Sequence, residues 1–247
     1  MAQSPIIVQD LVKEFHVNNS GANSIKTALL WWKPRKKVCY KVLKGISFEV
    51  QPGECVAVVG RNGAGKSTLL SLLARVYKPT SGSATIQGRT APLLELGAGF
   101  HPDLSGMENI YFNSIILGLT RKQVKERVDK IIEFSELADH INAPTRTFSS
   151  GMLARLGFSI AIHMDADVLL VDEVLAVGDY EFERKCYAKI DEFRAKGGTI
   201  LFVSHNMQAI RRVCDRCIWL HQGEIKMIGT PDEVIPLYES TPLGTDT

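Results

Sequence analysis

This chain of 247 residues is most informative first in what it lacks. It has no apolar run close to the ~18 residues that a membrane-spanning helix needs. Residues 1–9 lack the charged start and apolar core of a secretory signal, so the expectation is a chain that is soluble by itself and stays in the cytoplasm. Charge of either sign is not in excess: 29 basic and 27 acidic side chains leave a formal +2, which gives no global pull toward nucleic acid. There is no internal repeat. The five cysteines (Cys39, Cys55, Cys186, Cys214, Cys217) form no disulfide framework, and the Cys214/Cys217 pair lacks the second pair that a zinc site of that spacing requires. All five read as small core residues.

What remains is ordinary for a globular chain, with 45% hydrophobic and 23% charged residues, enough to bury a sizeable core. The informative stretch is Gly60-Arg61-Asn62-Gly63-Ala64-Gly65-Lys66-Ser67-Thr68. It follows an apolar run (Cys55 to Val59) and precedes the apolar Leu69 to Leu73. Strand, glycine-rich turn and helix together make a phosphate site. The backbone curls so that several N–H groups face one anion, and the next helix adds its positive end. Lys66 is placed to reach the β- and γ-phosphates of a nucleoside triphosphate, and the Ser67 hydroxyl to ligate Mg²⁺. A glycine-rich turn without a ligand is the alternative that the Lys-Ser pair and its flanks argue against.

Elsewhere, residues 6–17 and 40–50 read as strands and 18–24 as loop. Short strands and turns surround Gly88 over 84–96. A helix is expected over Thr120–Ile141, opened by a Thr120/Gln123 capping box and lined by Val124, Val128, Ile131 and Ile132. A mostly buried helix follows over Gly151–Met164. Val168–Val171 and Thr199–Val203 have the continuous apolar character of central parallel strands. Between them a helix with Phe182, Cys186, Ile190 and Phe193 on one face stops at Gly197-Gly198. The tail from Thr241 to Thr247 is polar and expected to be disordered. The segment Leu29-Leu30-Trp31-Trp32-Lys33-Pro34-Arg35-Lys36-Lys37 sets two tryptophans beside basic residues. It suits a membrane interface or membrane partner, or equally a surface loop with one tryptophan tucked into the core. Alternation of strands and helices around a helical block at about 100–163 predicts an α/β nucleotide-binding core with a helical insert.

The second apolar strand ends in Asp172-Glu173. A carboxylate at that rim is the natural outer partner for Mg²⁺, and Glu173 can orient or deprotonate an attacking water. His205, just beyond the next apolar strand, can sense or stabilise a γ-phosphate.

Phosphate loop, then Phe148-Ser149-Ser150-Gly151-Met152, then Asp172-Glu173, Asp179 and His205 together resemble an ATP-binding cassette (ABC) ATPase, over about residues 6–235. The resemblance implies a P-loop NTPase (RecA-like) core with an antiparallel β subdomain and a helical insert. It implies one domain over 1–240, with core about 1–99 and 164–240 and helical subdomain about 100–163. It also implies that Ser149, Ser150 and Gly151 act in trans on nucleotide held by a second copy, that Asp179 lies in a dimer-contact loop, and that Tyr40 stacks on adenine. Phe148, Ser150 and Met152 depart from the usual L-S-G-G-Q signature. The glutamine expected near Leu96 is absent, with Glu95 a candidate replacement toward metal or water.

Glu95 to Pro102, Ser149 to Met152 and Glu173 to Asp179 resemble the branch that exports bacterial surface polysaccharides, the O-antigen type most closely. The implied protein is an ATPase subunit using ATP and Mg²⁺. It forms a homodimer, binds an integral membrane subunit, serves lipid-linked polysaccharide through that complex, touches no nucleic acid, and sits on the cytoplasmic face of the bacterial inner membrane. The chain has no room for the C-terminal carbohydrate-binding domain that some members carry. The alternatives are another ABC transporter (capsule, teichoic acid, small molecule or importer) and a soluble ABC ATPase acting on nucleic acid.

Overall fold

The computed structural model describes residues 4–18, 37–93, 99–172 and 179–241. Glu95, Glu173 and the Trp31-Trp32 segment therefore lie outside the described residues, as do residues 242–247. Among the described residues two sheets form. Strands β1 (Ile6–Asn18), β2 (Lys37–Val50) and β4 (Ser81–Ile86) make an antiparallel sheet in the order β2-β1-β4. Strands β3 (Cys55–Val59), β5 (Thr90–Leu93), β6 (Val168–Asp172), β7 (Thr199–Val203), β8 (Arg216–His221) and β9 (Glu224–Gly229) make the second, ordered β5-β6-β7-β3-β8-β9. Its first five strands run parallel and β9 returns antiparallel.

The continuous apolar runs of β3, β6 and β7 follow from cover on both faces. Along β3, Cys55, Ala57 and Val59 face helices α5 (Tyr180–Ala195) and α6 (Met207–Val213), where Phe182, Cys186, Ile190 and Ile210 are buried. Val56 and Val58 face the other way, onto Leu69, Leu70, Leu72 and Leu73 of helix α1 (Lys66–Leu73) and onto the antiparallel sheet. Each fully buried Phe or Leu contributes about 1.5–3 kcal/mol of transfer free energy.

Helices α2 (Gly106–Ile116), α3 (Arg121–Ser135) and α4 (Ser150–Ile162) enclose their own apolar cluster, including Ile110, Val124, Val128, Ile131, Leu156 and Ile160. Helix α4 is apolar on most sides because it serves two cores: Leu156 and Ile160 face that cluster, while Phe158, Ala161 and Ile162 face the main sheet. A final helix, α7 (Pro231–Ser240), opens with a Thr230/Glu233 capping box.

Two expectations need correction. The helix expected over Thr120–Ile141 begins with its capping box but ends at Ser135, where Glu136 turns left-handed at φ 59°. The Glu136 carboxylate is drawn to Arg155 (2.9 Å) and Lys185 (2.6 Å), and Leu137 and Ile141 still reach the cluster from the turn beyond. Apolar periodicity thus outlasts the helix. Cys39 is exposed on β2 rather than part of the core, whereas Cys55, Cys186, Cys214 and Cys217 are buried. Burial pushes the Cys186 and Cys217 thiols up to about 12, consistent with inert packing. Helix α5 stops as expected: Gly197 N–H donates to Arg194 and Gly198 N–H to Phe193, the paired bonds of a Schellman end.

Candidate nucleotide site

The glycine-rich loop leaves the buried strand β3 and enters α1. At Gly60 a Cβ would stand 2.2 Å from the Leu220 carbonyl oxygen, so only glycine fits between the loop and β8. Gly65 caps α1 at φ 108°, a torsion that L side chains resist, and a Cβ there would meet Leu43 at 2.7 Å. Ala64 N–H donates to the Arg61 carbonyl, and the Ala64 carbonyl accepts from Gly223 N–H, both at 3.1 Å. Lys66 is buried, and its ammonium donates to the carbonyls of Gly60 (2.7 Å) and Arg61 (3.1 Å). Asn62, Gly63 and Ser67 are exposed, and Thr68 is half-buried. No carboxylate occupies the first turn of α1, so its positive end is uncompensated there. A cradle of backbone, a helix N-terminus and a buried ammonium fits a polyphosphate.

Parallel pairing brings the other predicted groups to the same edge. Asp172 ends β6 and pairs with Val203, the last residue of β7, while β7 pairs with β3 immediately before the loop. His205 follows two residues beyond β7 and is exposed. Asn206 caps α6 through Gln208 and Ala209. The donors at this edge, the Ser67 hydroxyl and the Asp172 carboxylate, are hard oxygens of the kind that suit Mg²⁺.

Tyr40 lies near the end of the β1–β2 ribbon, opposite Phe15, and is 56% exposed. A register shift between Lys13 and Glu14 leaves Val42 bulged. The Val42 carbonyl stands 3.1 Å from the place a Gly65 Cβ would take, so the bulge of the ribbon abuts the phosphate loop.

Ser149 is the N-cap of α4, and its hydroxyl accepts from Met152 N–H at 3.2 Å; Ser150 and Gly151 form the first turn. Asp179 is the N-cap of α5 and accepts from Phe182 N–H at 2.9 Å. That backbone bond, and then Arg155, hold its carboxyl below the usual range. Two side chains that the motifs do not flag complete the picture. Arg155 links Asp179 (2.6 Å) to Glu136 (2.9 Å) and lies over the Phe182 ring at 4.8 Å. Arg61 donates to the Thr241 carbonyl at 3.0 Å, tying the first residue of the polar tail to the phosphate loop. A sequence signal existed for neither, since their partners lie 19 to 180 residues away.

Residues 43–176 match the ABC transporter family. The O-antigen export system ATP-binding protein RfbB of Klebsiella pneumoniae is 52% identical over 229 residues, which cover 91% of this chain and 92% of that protein. The teichoic acids export ATP-binding protein TagH of Lactococcus lactis is 45% identical, covering 93% of this chain but 49% of that longer protein. Among solved structures, an ATP-binding subunit of an ABC transporter superposes with a TM-score of 0.77 at 22% identity, covering 98% of this chain and 97% of that one. A dimeric ATP-binding cassette bound to ADP and Pi superposes at 0.74 with 18% identity, covering 92% and 98%. The fold is that of these cassettes, and by its sequence the chain belongs to the ABC transporter family.

Proposed function

We propose that this chain is the ATP-hydrolysing subunit of an exporter of lipid-linked bacterial surface polysaccharide. It works as a homodimer on a separate membrane subunit, at the cytoplasmic face of the inner membrane. The observation that carries the ATPase reading is the buried Lys66 ammonium in a glycine loop that opens a helix. The cargo class rests on the likeness to the O-antigen export protein along nearly the whole of both chains.

In this reading the loop N–H groups and Lys66 hold the β- and γ-phosphates, and Tyr40 carries the adenine. Asn62 to Thr68 line the phosphates. Ser67 and Asp172 would hold Mg²⁺, with Glu95 a further candidate, and the bound ion would supply positive charge against the phosphates. Glu173 orients the attacking water and takes its proton, and His205 donates a hydrogen bond to the γ-phosphate. Ser149, Ser150 and Gly151 of the second copy close over that phosphate, with Asp179 at the contact between copies. A γ-phosphate held by both chains favours the closed dimer, and its loss opens the pair. The block over about 100–163 passes this motion to the membrane subunit. In support, α2 leaves Phe112, Ile115 and Ile116 exposed by 47%, 41% and 64%. The longer teichoic acid export relative keeps a different glycan within the alternatives.

The test is ATP turnover and ATP-dependent dimerisation of the natural chain beside Glu173→Gln. The expected variant hydrolyses very slowly and accumulates as an ATP-bound dimer. A variant that turns over normally and stays monomeric with ATP would overturn both the catalytic assignment and the role of Ser149 in trans.

A further inference from the structure

On the β1–β2 ribbon the register beyond the Val42 bulge pairs Glu14 with Lys41, Phe15 with Tyr40 and His16 with Cys39. Directly opposed residues share a face and successive ones alternate. Phe15 and Tyr40 thus occupy one face, and Glu14, His16, Cys39 and Lys41 the other. One ligand atom from each of these three lies within 4.8 Å of the other two, and Cys39 Sγ is 3.4 Å from a Glu14 carboxylate oxygen. Ligands of a tetrahedral ion with bonds of about 2.0–2.3 Å stand about 3.3–3.8 Å apart, so the three atoms need close by only about 1 Å to share one ion.

We propose that Glu14, His16 and Cys39 form a Zn²⁺ site with a fourth position open to water. The donor set is sulfur, imidazole nitrogen and carboxylate oxygen, which selects a borderline-soft ion over Mg²⁺ or Ca²⁺. The thiolate and the carboxylate cancel the charge of the ion, while Lys41, opposite Glu14 on the same face, adds a positive neighbour. His16 and Cys39 are exposed and Glu14 is half-buried, which gives an ion free entry. On binding, the Cys39 S–H bond breaks, its proton goes to solvent and the sulfur pair forms the bond to zinc. The site stands whether or not Tyr40 carries adenine on the opposite face.

The experiment uses the full chain stripped with a chelator, titrated with Zn²⁺ against a chromophoric competitor and with Co²⁺ as a spectroscopic stand-in. Expected are one Zn²⁺ per chain, release of a proton, a thiolate-to-cobalt charge-transfer band and a tetrahedral Co²⁺ spectrum. Cys39→Ser removes the band, and His16→Ala weakens Zn²⁺ binding about tenfold or more. Circular dichroism identifies any variant that has failed to fold, and Glu14→Gln, which keeps shape and hydrogen bonding, still lowers affinity. A Co²⁺ spectrum without the thiolate band, or Zn²⁺ uptake unchanged in Cys39→Ser, would overturn the site.

Discussion

Arg155 Nη2 lies 2.6 Å from an Asp179 carboxylate oxygen, joining the helix that Ser149 caps to the cap of the helix beyond the acidic strand. Its other nitrogen reaches Glu136 at 2.9 Å. Both carboxylates are about half-exposed or more, so solvent screens much of the attraction. Replacing Arg155 by Met keeps packing over Phe182 and removes the charge. The expected loss is about 1 kcal/mol of unfolding free energy, read by urea denaturation. An unchanged midpoint would mean that the arginine acts through packing alone.

Ser149 carries two roles that one substitution separates. Ser149→Ala removes a cap worth about 1 kcal/mol. Ser149→Asp keeps a cap of equal quality but aims a negative charge at the γ-phosphate proposed to lie across the dimer. Thermal stability should therefore survive in the Asp variant while ATPase activity falls at least tenfold. Retained activity would reduce Ser149 to a helix cap.

Lys66→Ala removes the ammonium from a site where its partners include the Gly60 and Arg61 carbonyls of the loop itself. Nucleotide affinity, followed with a fluorescent ATP analogue, should fall at least tenfold, and hydrolysis should be lost. An affinity unchanged by the substitution would contradict the phosphate assignment.

Glu108 and Glu233, the carboxylates of two capping boxes, are held below the ordinary glutamate value of 4.5. Ser105 lowers Glu108, through its hydroxyl first, and the Thr230 backbone N–H lowers Glu233. A carboxyl with a lowered folded value contributes stability that is complete above its unfolded value. That contribution is lost as pH falls through the folded one. The share of the melting temperature that these two carboxyls set should accordingly be flat from neutral pH to about 5 and decline below it, separate from the earlier loss below the ordinary histidine range that burial of His163 imposes. Glu108→Gln with Glu233→Gln, which keep the bonds without titrating, should make that decline shallower.

Much of the candidate site could be read along the chain because its chemistry is local. The loop from Gly60 to Thr68 carries its glycines, lysine and hydroxyl in one stretch, and Asp172 announces itself at the end of an apolar run. The parallel strands were equally plain, since cover on both faces leaves no polar alternation. The stop at Glu136 was not readable, because side chains 19 and 49 residues away hold it in place of a glycine. Cys39 misled for a related reason: beyond the bulge at Val42 the two-stranded ribbon is exposed on both faces, Tyr40 and Lys41 as well as Cys39, and no residue type marks where its cover ends. The capping box of Ser105 and Glu108, by contrast, is a local Ser-x-x-Glu pattern and legible in the sequence.

The wall behind the phosphate loop has a genetic consequence. At Gly60 the obstructing atom is a main-chain oxygen of Leu220, which every amino acid at 220 possesses. At Gly65 trimming Leu43 would relieve one contact, yet the Val42 carbonyl still stands 3.1 Å away and the torsion of 108° still penalises a side chain. Suppressor screens starting from Gly60→Ala or Gly65→Ala should hence return true revertants in place of compensating changes at neighbouring positions. A lineage that loses either glycine recovers by restoring it, not by adjusting the wall around it.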